Sequence, residues 1–184
     1  MMTSLQKKGF VLVVLLQLSV LGMMVFEQKY TRRTGTTILL ECIPVDPRSL
    51  FSGDYVVLNY KLNNPSTSRD WYALNKGQHS FHQQQIIYVA LQKSKENEFW
   101  EPIEIAPSLE ALNYPVILSG EIEDLERELI RFEGIQNYFV PQFKGLDIER
   151  FRGVISVEIA VTASGKGAIK RLFLDGNEVQ FDEE

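Results

Sequence analysis

Residues Gly9 to Phe26 read GFVLVVLLQLSVLGMMVF, 18 positions without a charge in which Gln17 and Ser19 are the only polar interruptions. Such a run is too long and too uniformly apolar for a half-buried strand or an ordinary amphipathic helix. Coiled as a helix it extends about 27 Å, close to the about 30 Å of a hydrocarbon core. The run predicts a transmembrane anchor helix over 9–26, with a short cytoplasmic tail at 1–8, a juxtamembrane linker at 27–35 and a folded domain at 36–184. Met23, Met24, Val25, Phe26 and Glu27 offer no small-x-small cleavage site, so the helix is expected to be retained. Cys42 lies 16 residues beyond Phe26, too far to be the acylated cysteine of a lipoprotein signal. Lys7, Lys8 and the terminal amine on one side balance Lys29, Arg32 and Arg33 on the other, so the positive-inside count does not decide orientation. A helix this close to the N-terminus behaves as an uncleaved signal sequence, which puts the domain outside the cytoplasm.

The chain carries 19 Lys and Arg against 24 Asp and Glu. Removing the five basic residues and Glu27 of the first 33 positions leaves 14 against 23, a domain of net charge −9. That sign repels phosphate backbones and provides no basic stripe, which excludes nucleic acid as a partner. Cys42 is the sole cysteine, so neither an intrachain disulfide nor a thiolate metal cluster can form. It alternates with Ile38 and Leu40, the pattern of a small core residue, and no catalytic role is assigned to it. His79 and His82 lack a third ligand at metal-binding spacing, so no metal or cofactor is expected.

Beyond residue 35 the dominant period is two. Strands are expected at 36–45, 55–62, 86–92, 99–105, 115–122, 129–140, 154–162 and 168–175, with short helical turns at 108–112 and 145–151. Residues 63–85 are polar and turn-rich and read as a surface loop, while the charge-dense stretch 121–133 reads as a solvated hairpin end turning near 124–126. Little helix and many strands predict a mainly β domain, barrel- or sandwich-like, with antiparallel or mixed sheets.

The most distinctive segment is Pro44 to Tyr60, PVDPRSLFSGDYVVLNY, where a proline-stiffened loop delivers Gly53 and Asp54 into a strand. Gly53 suits a sharp turn and Asp54 suits a corner where backbone N–H groups need an acceptor. Asp46 or Asp54 can pair with Arg48 and lock the loop. Along the strand Tyr55, Val57 and Asn59 share one face, and Val56, Leu58 and Tyr60 the other. Gly53, Asp54, Tyr55, Leu58 and Tyr60 resemble the five fixed positions of the GDYXXLXY family of bacterial membrane-anchored proteins. The resemblance extends to Gln17 and Glu27, to VDPR at 45–48, YVAL at 88–91, GIQNYFVP at 134–141 and AIKRLFLDG at 168–176. Many relatives follow the YFVP segment with Glu and Gly, whereas Gln142 and Phe143 stand here, which weakens a ligand role for that loop.

The resemblance implies an envelope protein of the bacterial inner membrane whose candidate partner is a multi-pass membrane protein, and it implies no activity. The leading expectation is a non-enzymatic binding or scaffold component, with the bilayer contacted through Gly9 to Phe26 and Asp46, Arg48, Gly53, Asp54, Tyr55, Leu58 and Tyr60 as candidate binding residues that also serve structure. The alternative is an envelope hydrolase using Asp46 and Asp54 as a carboxylate pair or Ser52 as nucleophile, although nothing in the sequence marks a lysine to act as the base of a serine–lysine mechanism.

Overall fold

The computed structural model describes residues 4–43, 55–64, 74, 75, 77, 80–141 and 144–181. Helix α1 spans Ser4–Thr34. Its Lys8–Thr34 portion is long and apolar enough to cross a membrane, and none of its most apolar window is covered by the rest of the protein. Phe10, Leu12, Met23 and Phe26 all stand exposed, so this is not the core helix of the β domain.

Residues 27–34, expected as a linker, form the last two turns of α1. Glu27, Gln28, Lys29, Arg32 and Arg33 favour or tolerate helix, and the two arginines in the last turn complement its negative end. The helix stops at Gly35, whose N–H donates to the Thr31 carbonyl at 3.0 Å. A Cβ at Gly35 would meet the Thr31 oxygen and the Val161 nitrogen at 2.8 Å each, so only glycine lets the helix end this close to the sheet. The first strand begins at the next residue.

The strands in chain order are β1 (Thr36–Ile43), β2 (Tyr55–Val57), β3 (Asn59–Tyr60), β4 (Ile86–Lys93), β5 (Trp100–Ala106), β6 (Ile117–Asp124), β7 (Leu129–Arg131), β8 (Asn137–Phe139), β9 (Ile155–Val161), β10 (Gly167–Leu174) and β11 (Asn177–Glu178). A short helix α2 covers Gly145–Glu149, and 3-10 turns lie at Lys61–Asn63 and Leu109–Ala111. The domain is β-rich and antiparallel, as expected, and its strands form three sheets: β11-β10-β9-β1-β3, β5-β4-β6-β7 and the pair β2-β8.

Alternation in β1 buries Ile38, Leu40 and Cys42 and leaves Thr37 and Ile43 outside. One apolar cluster takes side chains from both large sheets, Leu40, Val157, Ile159 and Leu172 from one and Val89, Leu118, Ile122 and Ile130 from the other. Each such side chain contributes about 1.5–3 kcal/mol relative to exposure. Strand β9 is buried almost throughout because β1 and β10 flank it and the end of α1 covers part of its outer face.

Two expected strands divide. Residues 129–140 split because Gly134 takes φ +82°, where a Cβ would also meet the Gly167 carbonyl oxygen at 2.8 Å, turning the chain out of the β6-β7 ladder toward β2. Residues 55–62 split where partners change: 55–57 pair with β8, 59–60 pair with β1, and the chain then enters the Lys61–Asn63 turn. The β6-β7 hairpin turns at 125–128, with the Asp124 carboxylate accepting the Arg127 N–H at 3.1 Å.

Candidate functional site

Asp46, Arg48, Ser52, Gly53, Asp54 and His79 lie outside the described residues. The motif positions within them are Tyr55, Leu58 and Tyr60, and the expected two-faced alternation holds: Val56, Leu58 and Tyr60 are buried, while Tyr55, Val57 and Asn59 are exposed.

The inward residues act on a second stretch of chain. Tyr60 is 0% exposed, and its hydroxyl donates to the Ile135 carbonyl at 2.5 Å. The Leu58 N–H donates to the Gln136 carbonyl at 2.7 Å. Strand β2 then continues the grip on β8 through Tyr55↔Phe139, Val56↔Tyr138 and Val57↔Asn137. The motif strand therefore fixes residues 135–139, which belong to the GIQNYFVP segment. At the far end Asn63 completes the hold, its side chain accepting from the Tyr60 N–H at 2.6 Å and donating to the Ile130 carbonyl at 2.8 Å. Burial, and secondarily the neighbouring Cys42, pushes the Tyr60 phenol well above its usual range, so it remains a protonated donor. Burial, and secondarily Glu41, raises the Cys42 thiol far out of the range in which thiolate forms, which fits the core role expected of it.

Gly134 and residues 136–139 in turn line a cleft of about 230 Å3 together with Gln28 and Arg32, which stand one turn apart on α1, and Ile169. The helix is held in place there. Thr31 is only 4% exposed, Glu27 pairs with Lys166, and the end of α1 packs against β9 and β10. The outer rim is aromatic: Phe139 is 74% exposed and meets Tyr55 edge-on at 6.3 Å between ring centroids. Tyr138 is half-buried, and its phenol is raised by burial and by Glu178, with Arg32 pulling the other way.

A larger open cavity of about 760 Å3 lies elsewhere, between the edge of β1 and the β4-β5 hairpin. Glu41 and Lys61 pair across it at 2.6 Å, and Lys93, Lys95 and Trp100 also line it. Among the described residues no group of three His, Cys, Asp or Glu side chains is placed to hold a metal ion.

Sequence reasoning missed Gln28, Arg32, Tyr138 and Phe139 as cleft residues. A signal for the first two was available: two arginines followed by Thr34 and Gly35 mark a helix end, not a linker, and put residues 28 and 32 on one face. The other two depend on a contact between segments some 80 positions apart, which neither segment announces.

Together these features define an antiparallel β domain carried without a spacer on a single apolar helix. The chain belongs to the GDYXXLXY protein family, whose model matches residues 17–172. Comparison with curated proteins and with solved structures gives no match.

Proposed function

We propose that this protein is a single-pass, membrane-anchored binding component of the bacterial envelope, with α1 in the inner membrane, the β domain outside the cytoplasm and a multi-pass membrane protein as its partner. The observation that carries the reading is the unbroken passage of α1 into the domain. An apolar helix surface with no protein cover needs lipid or another apolar helix around it. The last two turns of that same helix are packed on β9 and β10 through Thr31 and the Glu27–Lys166 pair. A domain joined in this way is held at the bilayer surface in a fixed pose, which suits presentation of a surface to a neighbour in the same membrane.

Gln17 supports a partner within the bilayer. It sits near the midpoint of the apolar run, is exposed, and makes no side-chain hydrogen bond among the described residues, whereas the Ser19 hydroxyl donates to the Leu15 carbonyl of its own helix at 2.8 Å. An amide at that depth gains about 0.6–2 kcal/mol from a neighbouring helix. Membranes washed with alkaline carbonate are expected to retain the full chain, and affinity capture from mild detergent is expected to recover a membrane protein whose yield falls in Gln17→Leu. Release of the chain by carbonate would overturn the anchor. Capture of the monomer alone in both forms would overturn the partner.

A further inference from the structure

The cleft between α1 and β8 holds a charge that the anchoring role does not use. Arg32 is exposed and pairs with no carboxylate among the described residues, whereas Lys61, Arg131, Lys166, Lys170 and Arg171 are each matched to an acid. Gln28, Gln136, Asn137 and Tyr138 line the same space, and among the described residues no Asp or Glu does. Glu178, the acid that acts on Tyr138, is itself engaged by Arg171 at 3.4 Å. One unmatched guanidinium among neutral donors suits a phosphate group, which it can meet with a forked pair of N–H bonds.

The depth of the cleft says which phosphate. Gln28 and Arg32 stand about 3 and about 9 Å beyond Phe26 along the helix axis, at 1.5 Å per residue. The headgroup zone occupies about 5–8 Å on each side of the hydrocarbon core, and a run slightly shorter than that core draws its flanks inward. Exposed Tyr30 on α1 and half-buried Tyr138 in the cleft are tyrosines, a residue type enriched in this layer. The geometry points to a binding site for the phosphate headgroup of an anionic phospholipid from the bilayer that surrounds α1, with Arg32 as its charged contact. The site rests on the anchored reading of α1.

Arg33 provides the control. It follows Arg32 by 1.5 Å along the axis and about 100° around it, and it does not line the cleft. The full chain in detergent is titrated with phosphatidylglycerol, with phosphatidylcholine and with inorganic phosphate, and bound molecules are counted by native mass spectrometry. One phosphatidylglycerol per chain is expected, weakened about fivefold by Arg32→Gln and less than about twofold by Arg33→Gln. Arg32→Lys, which keeps the charge and loses the fork, is expected to fall between. Equal weakening by Arg32→Gln and Arg33→Gln, or equal retention of phosphatidylcholine, would reduce the effect to diffuse surface charge and overturn the site. Inorganic phosphate binding as tightly as the lipid would overturn the bilayer as its source. Arg32 is exposed, and an unchanged melting temperature is expected to show that Arg32→Gln remains folded. Carbonate extraction reads the anchor separately: retention without Arg32-dependent lipid leaves the anchor standing and removes the site, while release removes both.

Discussion

Along residues 55–60 a single short stretch presents two faces that share a backbone and differ in what surrounds them. Val56, Leu58 and Tyr60 point into the core, where Tyr60 reaches the Ile135 carbonyl, while Tyr55, Val57 and Asn59 point outward and the Tyr55 ring meets that of Phe139 edge-on. Inward positions are bound to one solution by volume and by the need to satisfy a buried carbonyl. Outward positions are free of both demands. A fixed motif that spans both faces therefore mixes two kinds of requirement, and mutation can separate them.

The largest effect is expected on the inner face. Leu58→Ala removes a side chain that is 3% exposed between the two sheets. It should lower the unfolding free energy of the full chain in detergent by about 2–5 kcal/mol, read by denaturant titration. A loss comparable to that of an exposed residue would mean that the inner face is not the core it is taken to be. Tyr60→Phe asks a narrower question, since it keeps the ring and deletes the bond to Ile135. The orphaned carbonyl should cost about 1–3 kcal/mol, and hydrogen exchange should speed up at residues 135–139. Destabilisation without that local loosening would detach the motif from the cleft wall.

The fold was legible wherever one period ruled a segment. Alternation in β1 and along 55–60 located the buried faces correctly, and the apolar run located α1. Where partners change along a strand, periodicity gives no warning: 129–140 alternates well enough to pass for one strand, yet Gly134 redirects it into another sheet. The cleft was illegible for a related reason. Its walls come from the end of α1 and from Gly134 and 136–139, and Tyr60, Leu58 and strand β2 hold the second in place. The residues that set the position of the cleft belong to the motif, whereas those that line it do not.

Strand β9 carries the same contrast of faces in a charged form. Val157 and Ile159 are buried among apolar side chains, while Glu158 lies on the outer face between Arg171 at 2.7 Å and Lys170 at 3.4 Å. Partial burial alone would raise the Glu158 carboxyl, but Arg171 and then Lys170 outweigh it and hold the group below the ordinary glutamate range. A carboxylate depressed by folding stabilises the folded state above its unfolded pKa and loses that contribution as pH falls through the folded value. Glu158→Gln should therefore destabilise by about 0.2–1 kcal/mol at neutral pH. The difference from the parent chain should shrink to nothing as the pH is taken below the folded pKa of Glu158. A difference that persists undiminished in acid would assign it to packing and not to charge.

A comparably small stability effect is expected at Tyr55, which is 37% exposed and whose aromatic neighbour among the described residues, Phe139, is 74% exposed. Tyr55→Ala should change stability by about 0.5–1 kcal/mol, the value of an edge-on aromatic pair with little burial added. The variant is useful because it divides the motif: Leu58 and Tyr60 explain themselves through folding, and Tyr55 does not. If Tyr55→Ala leaves melting nearly intact and lowers capture of the membrane partner, the outer face of the motif is a contact surface beside the cleft. If capture and melting are both unchanged, Tyr55 is only the cap of a two-stranded ladder, and the search for what the domain presents moves to the wall of the cavity between β1 and the β4-β5 hairpin.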